Sequence, residues 1–274
     1  MATIEENLRV WDESYGWPAA GDEWSAHFGG TEALWYFVLL PRIHAFIPSA
    51  VILEIAPGFG RWTQYLKAQC QTLIAVDISK RCVEHCQARF ASEAHVRFHV
   101  NDGTSLAAVP DFSVDFVFSF DSLVHAEADV VEAYLREIEQ KLTADGVGFI
   151  HHSNIGAYPR RLQLRDHYYR LPRSLRERII TPATVSALLS INLQAGRATT
   201  MSAVLFRQLC EKAGLKCICQ ERLNWGRGKC LTDAISIFTK PNSRWDRESI
   251  GLDNSEFVES TALTSRLAGL YCPW

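Results

Sequence analysis

A chain of 274 residues that is 47% hydrophobic can bury one large core, or one core with a small lid, and is not disordered. A formal net charge of −3 and a pI near 6.3 leave no basic footprint, so nucleic acid is not an expected partner. No N-terminal run joins basic residues to an apolar stretch and no apolar segment is long enough to span a bilayer, so the expectation is a cytoplasmic protein without a transmembrane segment.

The first 49 residues form an aromatic head holding Trp11, Tyr15, Trp17, Trp24, Phe28, Trp35 and Tyr36. Rings at this density either pack the head onto the rest of the chain or present faces to a sugar or a cation. The stretch VILEIAPGFGRWTQYL, 51–66, then reads as a strand, a glycine turn and a helix. Gly58 and Gly60 can take positive φ and let a ligand approach the backbone, while the following helix would offer free N–H groups in its first turn. By itself such a turn serves a steric need as readily as a ligand.

TLIAVDIS (72–79) is an apolar strand ending on an acid, and RCVEHCQARF (81–90) has helical character. The strand VRFHV (96–100), the turn NDGTS (101–105) and the buried strand SVDFVFSF (113–120) follow. Next come DSLVH, a helix from about Asp129 to Leu142 closed by ADG, and the strand VGFIHHSN (147–154). Strands alternating with helices at this spacing predict a mainly parallel, doubly wound sheet covered on both faces, with ligands at the carboxyl ends of its strands.

From Ile155 to Thr200 the pattern loosens into an arginine- and tyrosine-rich insertion and a short apolar helix candidate, expected to form a lid over residues 156–200. Its Arg160, Arg161 and Arg165 can pair with an anionic glycan or a lipid-linked phosphate, or simply form a solvated helix face. A helix at 202–214 and strands at 215–225 and 233–240 come next, the strands close enough to predict an antiparallel hairpin at the sheet edge. The tail, 241–274, is polar and poorly patterned, which leaves 50–240 as the catalytic domain. The cysteines Cys70, Cys82, Cys86, Cys210, Cys217, Cys219, Cys230 and Cys272 have neither zinc-knuckle spacing nor the setting of a disulfide framework.

Asp77 lies nineteen positions after Gly58, where a doubly wound fold places a carboxylate to receive ribose hydroxyls. NDG at 101–103 ends the third strand, where Asp102 can accept from an adenine amino group and Gly103 makes the turn. With EIAPGFG as first motif, VDIS as second and NDG as third, residues 50–240 resemble the class I S-adenosylmethionine-dependent methyltransferases. That resemblance implies a Rossmann-like sheet of seven strands and an S-adenosylmethionine site at Ala56, Gly58, Gly60, Asp77, Ile78, Asp102, Gly103 and Phe120. It also gives Glu54 the role of the family's acid that orders the loop and the methionine amino group, although capping local N–H groups is an equal reading of that residue. Ala56 departs from the glycine usual in the turn, and Pro57 stiffens the next step.

EIAPGFGRWTQYL, FSFDSLVHAEADV and GFIHHSNIG, together with the tryptophan-rich head, resemble methyltransferases found among bacterial polysaccharide-modifying enzymes. This implies O-methylation of a hydroxyl on a sugar or glycan acceptor. Such a hydroxyl needs a base. The candidates are His125 after the fourth strand and His151 and His152 at the end of the fifth, with His152 slightly favoured and at most one of that adjacent pair facing the acceptor. Asp121 is the candidate ligand of a catalytic magnesium, a thin site with Asn154 unless Asp233 or water completes it. The alternatives are methylation of a small natural product or phenol, a nicotinamide-dependent oxidoreductase, which the missing GxGxxG spacing and the terminal hairpin disfavour, and a catalytically silent binding module. The oligomeric state is open.

Overall fold

The computed structural model describes residues 3–172, 175, 196–225 and 230–271. Eight strands form one sheet in the order β3-β2-β1-β4-β5-β7-β6-β8. They are β1 (Ser49–Ile55), β2 (Cys70–Asp77), β3 (Val96–Val100), β4 (Val114–Ser119), β5 (Leu142–Ser153), β6 (Lys216–Leu223), β7 (Asp233–Thr239) and β8 (Ile250–Asn254). Only β7 runs against its neighbours; every other pair is parallel.

The strands are buried on both faces, as parallel strands flanked by helices must be. Alternation along each strand divides them between two cores. Leu53, Val117 and Ile150 meet the helices Ala128–Lys141 and Ala203–Lys212 through Leu135, Ile138, Phe206 and Leu209. Their neighbours Ile52, Phe116 and Phe149 meet the head, through Leu34, Trp35, Leu39 and Ile43, and the C-terminal segment, through Phe257 and Val258. The head and the C-terminal segment thus cover one face together.

Three expectations change. The sheet has eight strands, because the polar tail contributes β8 and the helix Phe257–Tyr271. Strand β8 pairs with β6, so the predicted hairpin β6–β7 is not the edge. Its Ile250, Leu252 and Asp253 are exposed, and this two-sided solvation is why no period showed. ADG does not close a helix: the helix ends at Lys141 and β5 begins at once, with a register shift where Val114 and Phe116 pair with it. The apolar helix expected late in the insertion falls outside the described residues; within them lie a turn, Ile155–Ala157, and a helix, Pro159–Arg170. Among the described residues no helix is long and apolar enough to cross a membrane.

Candidate functional site

A cavity of about 1180 Å³ opens at the carboxyl ends of β1, β2 and β4. Its floor is the turn after β1. Ala56 has φ +58° and lines the cavity, so an alanine holds the left-handed conformation for which a glycine is usual. Gly58, also at φ +58°, donates its N–H to Asp77 Oδ2 at 3.0 Å, and Ser79 N–H reaches the other carboxylate oxygen at 2.9 Å. Asp77 faces the cavity nearly buried, and burial pushes its carboxyl up to about 6. Ile78 and Gly103 line the wall beside it. Gly60 plays a different part from the expected one: it has turned away, and a Cβ there would meet the Phe90 ring at 2.5 Å. Its freedom serves helix–turn packing and not a ligand. The helix after the turn is only Thr63–Leu66, too short to offer the N–H cradle expected.

Glu54 and Asp102 also depart from expectation. Glu54 lies beneath the turn, 1% exposed and outside the cavity lining, with Oε2 accepting from Thr63 Oγ1 at 2.6 Å. Among the described residues Oε1 is buried without a hydrogen-bond partner, and burial pushes the carboxyl up to about 8, which keeps it mainly protonated at pH 7. Asp102 is exposed and turns onto its own loop, accepting from Thr104 N and Ser105 N, which hold it below the usual carboxylate range. It does not line the cavity; the apolar side chains of Ile4, Ile78, Leu123 and Val130 do. Phe120 is buried between Trp62, His151 and Trp225, also off the cavity surface.

The head forms the roof. Trp11, Trp17 and Trp24 line the cavity, and Trp17 lies so close on the turn that a Cβ at Gly58 would meet its ring at 2.7 Å. The Trp17 indole stacks on Phe59, with centroids 4.6 Å apart. Two clasps hold the head. Asp12 accepts from Ser79 Oγ and Arg81 N on the β2 side, and Asn7 donates to the His125 carbonyl on the β4 side. Trp35 is instead a core residue of the sheet face, and Phe28 belongs to that core while also lining the cavity.

The three histidines part company. His152 sits on the face of Ile150, fully buried and stacked on Phe206 at 4.2 Å. Its Nδ1 donates to the Ser153 carbonyl and its Nε2 accepts from Ser236 Oγ, so both ring nitrogens are used, and burial pushes the imidazole down to about 4. The favoured base therefore lies on the wrong side of the sheet. His151, on the face of Phe149, is equally buried; its Nδ1 accepts from Asp121 N–H at 3.2 Å and its Nε2 donates to Asp233 at 3.1 Å. Only His125 lines the cavity. It is half-buried beside Trp11, and its Nδ1 donates to the Gly196 carbonyl at 3.0 Å. Among the described residues its Nε2 has no hydrogen-bond partner, which leaves that lone pair to act as an acceptor. Burial, seconded by Arg197, holds the imidazole below its ordinary range.

Asp121 lines the cavity at φ +61°, a conformation unusual outside glycine. Its carboxylate takes Arg61 at 3.0 Å and faces Arg197 at 3.8 Å. Asp233 is fully occupied by the same Arg197, and Asn154 by the Ala203 N–H and the Leu231 carbonyl. A magnesium ion at Asp121 would meet two guanidinium groups and no free oxygen from these partners. The expected metal role is withdrawn on that donor set. Among the described residues no group of three or more His, Cys, Asp or Glu is arranged to hold a metal. Arg61 and Arg197 were missed as site residues. Arg61 stands in GFGRW directly after the turn, a usable signal, whereas Arg197 lies in the unpatterned insertion.

Comparison with known proteins agrees with this architecture. Residues 52–146, from β1 into β5, match the family model described as a methyltransferase domain. No match was found among curated proteins. Among solved structures, the PH0226 protein from Pyrococcus horikoshii superposes with a TM-score of 0.53 at 18% identity, covering 86% of this chain and 98% of that one. A SAM-dependent methyltransferase from Methanosarcina mazei gives 0.52 at 16% identity over 74% of this chain and 98% of its own. The N-methyltransferase NodS from Bradyrhizobium japonicum, solved with S-adenosyl-L-homocysteine, gives 0.52 at 14% identity over 86% and 96%. At these identities the likeness is one of fold: the chain is similar to methyltransferase domains from β1 to β5 and shares their Rossmann-like sheet.

Proposed function

We propose that the protein is an S-adenosylmethionine-dependent O-methyltransferase acting on a carbohydrate or glycan hydroxyl. The observation that carries this is His125, whose Nδ1 is committed to the Gly196 carbonyl and whose Nε2 is left as an acceptor at the cavity surface. The cofactor fits the residues on the opposite side. Asp77, fixed by two backbone N–H groups, retains lone pairs for a diol, and Ile4, Ile78, Leu123 and Val130 make an apolar surroundings for a flat base. When bound, the cofactor supplies an electrophilic methyl group on a sulfonium. Gly58 admits Trp17 closely enough to close the turn from above, and this excludes water from the same space.

With the cofactor bound, the acceptor oxygen would take its methyl group and leave S-adenosylhomocysteine, and His125 Nε2 would receive the hydroxyl proton. The cavity exceeds the roughly 300–1,000 Å³ of a single small-molecule pocket, which supports two ligands side by side. Trp11 and Trp24 offer ring faces to the apolar side of a sugar, with Arg165, Arg197 and Thr199 of the insertion also lining the cavity.

The test has two stages. Calorimetry should show binding of S-adenosylhomocysteine and none of a nicotinamide dinucleotide. Labelled methyl transfer over a panel of glycans, phenols and amines should then label a glycan oxygen, and His125→Ala should keep cofactor affinity while losing roughly 10²–10⁴-fold in turnover. Labelling confined to an amine or a phenol, or a His125→Ala variant of normal rate, would sink the acceptor class or the base respectively.

A further inference from the structure

The residue that sets the His125 tautomer is a backbone carbonyl, and a carbonyl has to be held by something. Gly196 has φ +58° and precedes Arg197. Arg197 is anchored bidentately: its Nε lies 2.7 Å from Asp233 Oδ1 and its Nη2 2.7 Å from Asp233 Oδ2. Asp233 opens β7 with no exposure, and its second contact, His151 Nε2, links it to the Asp121 N–H through the His151 ring. The next residue fixes the segment again. Ala198 N–H donates to the Val124 carbonyl at 2.9 Å, and Ser153 Oγ donates to the Ala198 carbonyl at 2.7 Å. Segment 196–198 is thus laid against 124–125 by three contacts, none of them to the imidazole itself.

We infer that Arg197 and Asp233 are positioning residues for His125: their bidentate pair holds the Gly196 carbonyl that keeps the proton on Nδ1 and the lone pair on Nε2. The inference rests on His125 being the base. A carboxylate placed directly behind a histidine does this in catalytic triads, where the wrong tautomer costs activity with the geometry intact. Here the carboxylate acts at one remove, through a guanidinium and a peptide. The arrangement adds a second effect, because the groups that bear on the imidazole charge are Arg197, which opposes protonation, and Asp121 and Asp233, which favour it. Burial and Arg197 prevail, so the ring stays neutral at pH 7.

The experiment uses the full chain with Arg197→Lys, Arg197→Gln, Asp233→Asn and His125→Ala, and reads cofactor affinity, turnover against pH, and the ¹⁵N shifts of the His125 ring. Wild type should show a protonated Nδ1 and an unprotonated Nε2. A protonated Nε2 in wild type would overturn the inference even if no variant folds. In Arg197→Gln and Asp233→Asn, S-adenosylhomocysteine affinity should hold within about threefold while turnover falls about 10–100-fold, the usual cost of losing an orienting partner. The tautomers should mix, and with Arg197→Gln the acid limb of the rate profile should move to higher pH, since a cation beside the ring is gone. Arg197→Lys keeps the charge and loses the fork, so it should mix the tautomers with a smaller shift of the limb. Turnover lost with tautomer and limb both unmoved would mark a merely structural pair, and unchanged turnover would end the idea. A His125→Ala enzyme of normal rate would instead defeat the base assignment, a distinct failure.

Discussion

The two ends of the cavity are built on different principles. At the Asp77 end the hydrogen bonds to the carboxylate itself are short in sequence: Ser79 is two residues away and Gly58 nineteen, and both belong to the β1–β2 unit. At the His125 end Gly196 and Arg197 are about seventy residues on and Asp233 further still, meeting only because β7 lies beside β5. The first is a local motif, the second a convergence. A binding end made of main-chain groups tolerates change in its neighbours, whereas a convergent end fails when any of its distant members is altered. The first way to break this comparison is to show that variants at the two ends affect the same quantity.

The largest effect on cofactor affinity belongs to Asp77. Asp77→Ala removes a carboxylate that accepts Gly58 N–H and Ser79 N–H and faces the cavity, so cofactor affinity should weaken by about 1.5–3 kcal/mol, the range for a hydrogen bond involving a charged group. Calorimetry with S-adenosylhomocysteine reads it, and turnover at saturating cofactor should change much less than in the Arg197 variants. Unchanged affinity would remove Asp77 from the cofactor end. Equal losses in affinity and turnover would mean that the two ends are not separable.

This division also explains what could be read from the amino-acid order. The parallel sheet, the β6–β7 pairing, Asp77 beside Gly58 and the turn at Gly103 follow from apolar runs and punctuation, which are local. Residue parity at His151 and His152 was legible too, since neighbours on a strand face opposite sides. Which side faces the cavity was not. That depends on Phe206, from a helix fifty residues later, stacking on His152. Glu54 and Asp102 read as ligand-binding acids because an acid at a strand end looks the same whether it meets a ligand, Thr63 or its own loop. Strand β8 escaped because Ile250 and Leu252 are both exposed, leaving no buried face to impose a period.

Glu54 sharpens the comparison from beneath the turn. Its folded pKa of about 8 lies above the ordinary 4.5, so the stability it confers is complete below about pH 4.5 and is lost as pH rises towards 8. Asp77, raised to about 6 from 3.8, acts with the same sign but is exhausted earlier. Between pH 6 and 8 Glu54 should lower stability by up to about 1.4 kcal/mol per pH unit. His152 and His125, held by burial below their ordinary 6.5, act with the opposite sign near pH 6.5, so the Glu54 part is the difference between wild type and Glu54→Gln. Denaturant titrations of wild type and Glu54→Gln at pH 6, 7 and 8 read it: the variant should lose that slope, and parallel slopes would mean that Glu54 is ionised in the folded protein. Its effect should be on stability and scarcely on the rate of a cofactor-saturated enzyme, as befits a residue outside the cavity.

The smallest effect tests the turn itself. Ala56 holds φ +58°, its N–H donates to the Val76 carbonyl at 2.8 Å, and its own carbonyl accepts from Ser122 Oγ at 2.9 Å. These bonds fix the left-handed conformation although the residue opposes it by about 1–2 kcal/mol. Ala56→Gly removes that opposition but gives the unfolded chain more freedom, worth about 0.4–1 kcal/mol in the other direction. The balance predicts a gain of up to about 1.6 kcal/mol, read as a rise in midpoint denaturant with an unchanged slope. A loss of stability would mean that the Ala56 methyl makes contacts outweighing its strain. The gain would instead show that the turn keeps a glycine conformation without the glycine, held by Val76 and Ser122 across β2 and β4. In that case the local end of the cavity too depends, at this one residue, on a neighbour sixty-six positions away.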